Sequence, residues 1–177
     1  TQLIPRPVAE VFPFFADAAN LARITPAWLG FELLTPRPIA MHEGARIDYR
    51  IRLLGGLPAR WRTRIDLWEP GVRFVDSQER GPYRVWRHLH EFTPVDGGTL
   101  MRDTVDHDVG WGPAGALAWH LYVRRALDEI FDHRRRVIEE LFGPAAAAPP
   151  PGPALAPGAA FVRRRVDADR PGGTLSA

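Results

Sequence analysis

The sequence predicts an α+β domain: a curved antiparallel sheet of six or seven strands wrapped on a long C-terminal helix, with two short helices after the first strand. Three observations carry this reading. Short strands of alternating polarity follow one another at hairpin spacing between residues 28 and 109. A helical stretch free of breakers runs from Pro113 to Phe142. Two brief helical patterns precede the alternation.

Leu3 and Ile4 read as the end of a strand, broken by Pro5-Arg6-Pro7. The chain begins at Thr1 rather than Met and this strand is short, so its start is expected upstream. Val8, Val11, Phe12 and Phe15 recur at helical spacing over Val8 to Ala16, with Pro13 placed to kink or tighten the helix. Asn20 to Ile24 gives a second turn, stopped before Pro26. Trp28 to Leu34 reads as a strand.

Arg46 to Leu53 then alternates cleanly, with Ile47, Tyr49, Ile51 and Leu53 on one face and Arg46, Asp48, Arg50 and Arg52 on the other. Gly55-Gly56 makes the turn. Arg60 to Trp68 sets Trp61, Thr63, Ile65 and Leu67 against Arg60, Arg62, Arg64 and Asp66. Turns at Glu69-Pro70-Gly71, Gly81-Pro82 and Pro94 to Gly98 separate the strands Arg73 to Arg80, Tyr83 to Phe92 and Thr99 to Val109. In the final helix Leu117, Leu121, Leu127, Phe131, Ile138 and Leu141 form an apolar stripe. Its length is about 43 Å at 1.5 Å per residue, and Gly143-Pro144 ends it. The domain is therefore expected over 1–143. Residues 144–177, rich in Pro and Ala and without periodicity, are expected to be a disordered tail.

Composition narrows the classes. Hydrophobic residues make up 45% of the 177, enough for a core. There is no run of about 18 apolar residues, so no membrane-spanning helix is expected. The chain has no cysteine, which excludes disulfides and thiolate chemistry and fits a reducing, cytoplasmic setting. The pI near 9.6 comes from Arg used without Lys rather than from a large positive charge. Residues 1–143 carry 19 Arg and 19 Asp plus Glu, so the domain is neutral and no nucleic-acid partner is expected.

A meander must bury its apolar face, and the long helix is the large partner available. One helix is only about 10–12 Å across with its side chains. A wider sheet therefore leaves space for bulky side chains, the short helices or a ligand. IPRPVAEVFPFFADAANLARITP, then WRTRIDLWEPGVRFVDSQERGPYRVWRHLHEF, then the closing helix resemble the START-like, or SRPBCC, superfamily with its helix-grip fold. That superfamily includes the birch-pollen-allergen group, polyketide cyclases and lipid-transfer domains. The resemblance covers roughly 1–143 and is greatest to a bacterial ligand-binding branch. It implies a helix-grip fold and a hydrophobic cavity, and is weak for function because the fold hosts carriers, sensors and enzymes.

Strand parity gives the expected lining. Trp86, His88, His90 and Phe92 share one face of their strand, Met101, Asp103, Val105 and His107 a face of the next, and Phe74, Asp76 and Gln78 a face of another. With Tyr49, Trp61, Thr63 and the helix residues Leu121, Leu127 and Phe131, these form a mostly apolar wall with a few polar groups, the usual make-up of a small-molecule site. Three roles compete for the polar residues: a buried network in which His and Asp satisfy each other, orientation of a ligand's polar end, and acid–base work by a His–Asp pair drawn from His88, His90 and Asp103. His88 and His90 could also chelate a metal with Asp103 or His107 as third ligand, but two-His spacing is a weak signal and no metal or cofactor is assigned. The opposite face carries Arg46, Arg50, Arg52, Arg60, Arg62, Arg64, Arg84 and Arg102 beside Asp48, Asp66, Thr104 and Asp106, so cross-strand ion pairs are expected there.

The leading expectation is a non-enzymatic binder of a lipid-like, polyketide-like or aromatic molecule, as monomer or homodimer. The alternatives are a cyclase- or dehydratase-like enzyme using the His–Asp pair, and a protein-interaction module using the Arg-rich face or the tail.

Overall fold

The computed structural model describes residues 1–53, 56–110, 112 and 119–144, with the side chains of 119 and 120 left aside. Its strands are β1 (Gln2–Ile4), β2 (Glu32–Leu33), β3 (Arg46–Arg52), β4 (Pro58–Glu69), β5 (Arg73–Arg80), β6 (Val85–Val95) and β7 (Gly98–Asp108). They form one seven-stranded sheet in the order β1-β7-β6-β5-β4-β3-β2, with every neighbouring pair antiparallel. The helices are α1 (Val8–Ala16) and the C-terminal α2 (Arg124–Phe142), which a π turn at Trp119–Val123 leads into. The α+β, helix-grip architecture read from the sequence is the one observed.

The alternation of β3 works as expected. Ile47, Tyr49 and Ile51 are buried while Arg46, Arg50 and Arg52 are exposed. Much of the Arg-rich face is ion-paired: Arg46 pairs with Glu79, Arg50 with Glu32, Arg62 with Asp48, Arg64 with Asp66 and Arg84 with Asp108. α1 sends Val11 and Phe12 into the core, where Phe12 meets Trp68, Phe74 and Phe92 with ring centroids 5.2–6.1 Å apart. Pro13 lies within α1, which continues past it to Ala16. Asp17 caps the following 3₁₀ segment, Ala18–Ile24, by accepting from Ala19 N at 2.9 Å. α2 buries Leu127, Arg134 and Ile138, three positions on one face.

Several expectations need correction. Trp28 to Leu34 is not one strand: Ala27–Leu29 is a 3₁₀ turn and Gly30 is left-handed at φ +52. Only Glu32–Leu33 pairs with β3. Pro26 starts that turn, and Trp28 Nε1 donates to Glu129 Oε1 on α2 at 2.8 Å instead of joining the sheet. In β4 the register shifts between Ile65 and Leu67, so Trp68 rather than Leu67 packs against Phe74 and Phe12. β6 runs on through Pro94 to Val95, leaving Asp96-Gly97 as the turn. Pro94 lies past Glu91, the last β6 residue paired with β5, so its missing N–H breaks no ladder there. Leu121 in the π turn and Leu141 on α2 are 56% and 39% exposed, not buried members of the stripe. Residues 113–118, where the helix was expected to begin, and the tail from 145 onward lie outside the described residues.

Among the described residues, no helix is long and apolar enough to cross a membrane.

Gly98 opens β7 at φ +145, and a Cβ there would stand 2.0 Å from Ile4 O and 2.9 Å from Pro5 Cα. Thr99 beside it is fully buried and donates to Arg6 O at 2.7 Å, holding the chain as it leaves β1. Gly98→Ala is therefore expected to push β1 off the edge. It should cost about 1–3 kcal/mol of stability, read as a lower urea midpoint. An unchanged midpoint would show that this edge yields without strain.

Candidate functional site

Between the sheet and α2 lies a cavity of about 690 Å³. Ile47, Tyr49 and Ile51 of β3, Trp61, Thr63 and Ile65 of β4, and Phe74 of β5 form its sheet wall. Leu127, Ile130 and Phe131 of α2 face them, and Leu21, Ile24 and Phe31 close one side. Trp28, Leu121 and Tyr122 line it while 43–56% exposed, which puts them at its mouth. Trp61, Tyr83 and Trp86 pack edge-on and tilted with centroids 4.9–5.7 Å apart. Trp61 Nε1 donates to Thr63 Oγ1 at 3.0 Å. Burial pushes the Tyr83 hydroxyl up to about 12 and raises that of Tyr49 as well.

Asp76, His88, His90 and Arg134 interrupt this apolar wall. Alternation on β6 points both imidazoles inward, with ring centroids 3.7 Å apart. Register then brings Asp76 opposite His88 and Asp103 opposite His90. His90 Nε2 lies 2.9 Å from Asp76 Oδ2, and His88 Nε2 lies 3.0 Å from Asp103 Oδ1. His90 Nδ1 is 2.8 Å from the same Asp103 oxygen but not aligned for a hydrogen bond. Arg134 reaches from α2 to Asp103 Oδ2 at 3.2 Å. Phe74 stacks on His90 at 4.2 Å.

The titration follows from these contacts. Burial would raise Asp103, but the Arg134 guanidinium and the two imidazoles outweigh it and hold the carboxyl well below its usual range. Burial would likewise raise Asp76, and His90 with the other cations lowers it instead. His88 is depressed to about 4, first by burial and then by the charge on His90. Burial also opposes a charge on His90, yet the adjacent Asp103 and Asp76 carboxylates, the latter accepting from its Nε2, raise its pKa. His90 therefore holds its proton more tightly than His88, so a positive charge on the imidazole pair sits on His90.

Of the residues expected to line a site, the structure brings Tyr49, Trp61, Thr63, Phe74, Asp76, Trp86, His88, His90, Leu121, Leu127 and Phe131 to this cavity. It does not bring Gln78, Phe92, Met101, Asp103 or Val105 there. Gln78 is spent on the β5–β6 turn, donating to Tyr83 O and accepting from Tyr83 N. Phe92 and Met101 sit in the core packed by α1. Asp103 and Val105 face a second cleft of about 240 Å³, and Phe131 and Arg134 form the partition between the two. Sequence reasoning missed Arg134, because a cation on an amphipathic helix reads as solvent-facing. Its place on the Leu127–Ile138 face, seven residues from the first and four from the second, was the available signal.

Over residues 1–139 the chain matches the family described as polyketide cyclase / dehydrase and lipid transport. No curated protein matches it. Among solved structures it is similar to a protein of Thermus thermophilus, at 19% identity and TM-score 0.59 over 78% of this chain and 91% of that one. It is similar to a protein of Arthrobacter aurescens, at 15% identity and TM-score 0.59 over 78% and 83%. It is also similar to part of the nucleoside-diphosphate sugar epimerase of Corynebacterium glutamicum, at 27% identity and TM-score 0.53, covering 78% of this chain but 27% of that protein. With its family match spanning nearly the whole described chain and its sheet gripping one C-terminal helix, the chain belongs to the polyketide cyclase / dehydrase and lipid transport family of the SRPBCC superfamily.

Proposed function

We propose that this protein binds a hydrophobic or amphipathic small molecule, lipid-like, polyketide-like or aromatic, in the cavity between the sheet and α2. The observation that carries this is the cavity itself. Its 690 Å³ falls within the range of about 300–1,000 Å³ usual for small-molecule sites, and its wall is largely apolar and aromatic, with the Asp76, His88, His90 and Arg134 cluster within it and further polar groups such as Arg52 and Glu129 in the lining. Burying an apolar body against that wall supplies the affinity. Asp76, His88 and His90 then hydrogen-bond the polar end.

Native mass spectrometry of freshly purified protein, followed by denaturing extraction, tests for a bound molecule. Titration with a panel of apolar ligands, read by tryptophan fluorescence, measures binding directly. Ala126 lines the cavity from α2. Ala126→Trp fills part of the space and is expected to weaken binding at least about tenfold, or 1.4 kcal/mol, with the fold intact. A wild-type protein that binds nothing in the panel sinks the proposal, and so does an affinity indifferent to Ala126→Trp.

One observation favours a second reading, an acid–base enzyme. His88 bonds Asp103 through Nε2 and keeps Nδ1 free, a geometry that can take a proton from a cavity occupant, though as a weak base with its pKa at about 4. On that reading His88→Gln abolishes turnover of a cyclisation or dehydration substrate while leaving its affinity largely intact. The ion pairs on the Arg-rich face give no comparable support to an interaction module.

A further inference from the structure

Asp76 on β5 and His88 and His90 on β6 each offer a donor atom, all within 4.8 Å of one another. Asp76 Oδ2 lies 2.9 Å from His90 Nε2 and 4.0 Å from His88 Nδ1. Donors bound tetrahedrally to a first-row ion at about 2.1 Å stand about 3.4 Å apart, and the two separations bracket that figure. Two imidazoles and one carboxylate are a donor set that zinc and its neighbours accept.

Behind these donors stands Asp103, hydrogen-bonded to His88 Nε2 and close to His90 Nδ1. Both second ring nitrogens, His88 Nε2 and His90 Nδ1, lie 2.8–3.0 Å from a single oxygen of Asp103. Arg134 holds the other oxygen at 3.2 Å. A carboxylate behind the imidazole is the usual device that orients a metal-bound histidine. An ionised Asp103 only accepts hydrogen bonds, so His88 carries its hydrogen on Nε2 and leaves Nδ1 as a bare lone pair. The proton that His90 donates from Nε2 to Asp76 occupies the place a cation would take. Asp76, His88 and His90 all line the cavity and Asp103 does not, so the open side of the triad faces the cavity.

We propose that Asp76, His88 and His90 form a site for a divalent first-row transition-metal ion such as zinc, oriented from behind by Asp103 and Arg134. Three protein ligands leave at least one position open. That position meets the polar end of a cavity occupant, a clause that rests on the proposed function; the site itself does not.

The test uses the full chain, stripped with EDTA, dialysed and titrated by calorimetry with zinc alone at neutral pH in two buffers of different ionisation heat. One ion per chain is expected, with micromolar or tighter affinity and the same stoichiometry in both buffers. Asp76→Asn, His88→Gln and His90→Gln each weaken binding more than about 100-fold, and Asp103→Asn weakens it about 10–100-fold. The exposed His42→Gln leaves it unchanged. If a variant fails to fold, X-ray absorption of the zinc-loaded wild type decides, with two imidazole ligands expected. The proposal is overturned by absence of stoichiometric binding, by tight binding that survives Asp76→Asn and His90→Gln, or by a spectrum without histidine. Apolar-ligand binding measured in EDTA reports on the cavity alone, so the two readings fail separately.

Discussion

Replacing Asp103 by alanine is expected to remove about 3–5 kcal/mol of stability, with a fall in Tm of roughly 10 °C or more. The carboxylate is the common partner of three groups: Arg134 at 3.2 Å, His88 at 3.0 Å and His90 at 2.8 Å. Arg134 is 8% exposed, and its Nε already lacks a partner. Without Asp103 the buried guanidinium loses its ion-pair partner, and His90 loses one of the two carboxylates that raise its pKa. The size of the loss reflects that abandoned charge more than the worth of the intact pair. A double variant, Asp103→Ala with Arg134→Leu, is therefore expected to recover at least half of the loss. Urea titration of the wild type, both single variants and the double variant closes the cycle. Additive losses would show that Arg134 does not depend on Asp103, contrary to the geometry.

Where strand polarity alternated without interruption, the sequence was legible residue by residue. Arg46 to Leu53 alternates strictly and β3 buries the expected residues, because a one-residue slip would put Ile47, Tyr49 and Ile51 in water. The same parity placed His88 and His90 inside. It failed at Leu67, where a bulge reverses the faces, and bulges leave no mark on an alternation pattern. It failed in another way for Asp103. Parity reports a side of the sheet, but the position along that side decides between the cavity and the cleft behind Phe131 and Arg134. The pairing of Asp76 with His90 and of Asp103 with Arg134 depends on strand order and helix seating, which are long-range facts. Trp28 was misassigned for a similar reason. An aromatic run of strand-like composition serves instead to hydrogen-bond Glu129 across the mouth of the cavity.

Stability is expected to peak near pH 6.5 and to fall on both sides, with one histidine of the cluster responsible for each side. His88 faces Asp76 on β5, His90 on its own strand, Asp103 on β7 and, beyond it, Arg134 on α2. In the unfolded chain it takes up a proton as pH falls through 6.5, whereas in the folded protein burial and the charge on His90 delay uptake to about 4. Between those values the unfolded state binds more protons, so acidification costs stability, on the order of 3 kcal/mol by the time pH reaches 4. Asp76 and Asp103, both depressed, extend the loss below their unfolded value of 3.8. His90 has the opposite sign. Its raised pKa contributes stability that is fully present below 6.5 and is lost as pH rises through the folded value. Denaturant titrations in EDTA across this range measure the profile. His88→Gln should be less stable than wild type at neutral pH yet flat between 6.5 and 4, because the group that drives that limb is gone. A nuclear magnetic resonance titration of wild type should show the His88 ring unprotonated at pH 6. If His88→Gln kept the wild-type acid slope, the proton would be entering elsewhere, and the assignment of a neutral His88 beside a charged His90 would be wrong.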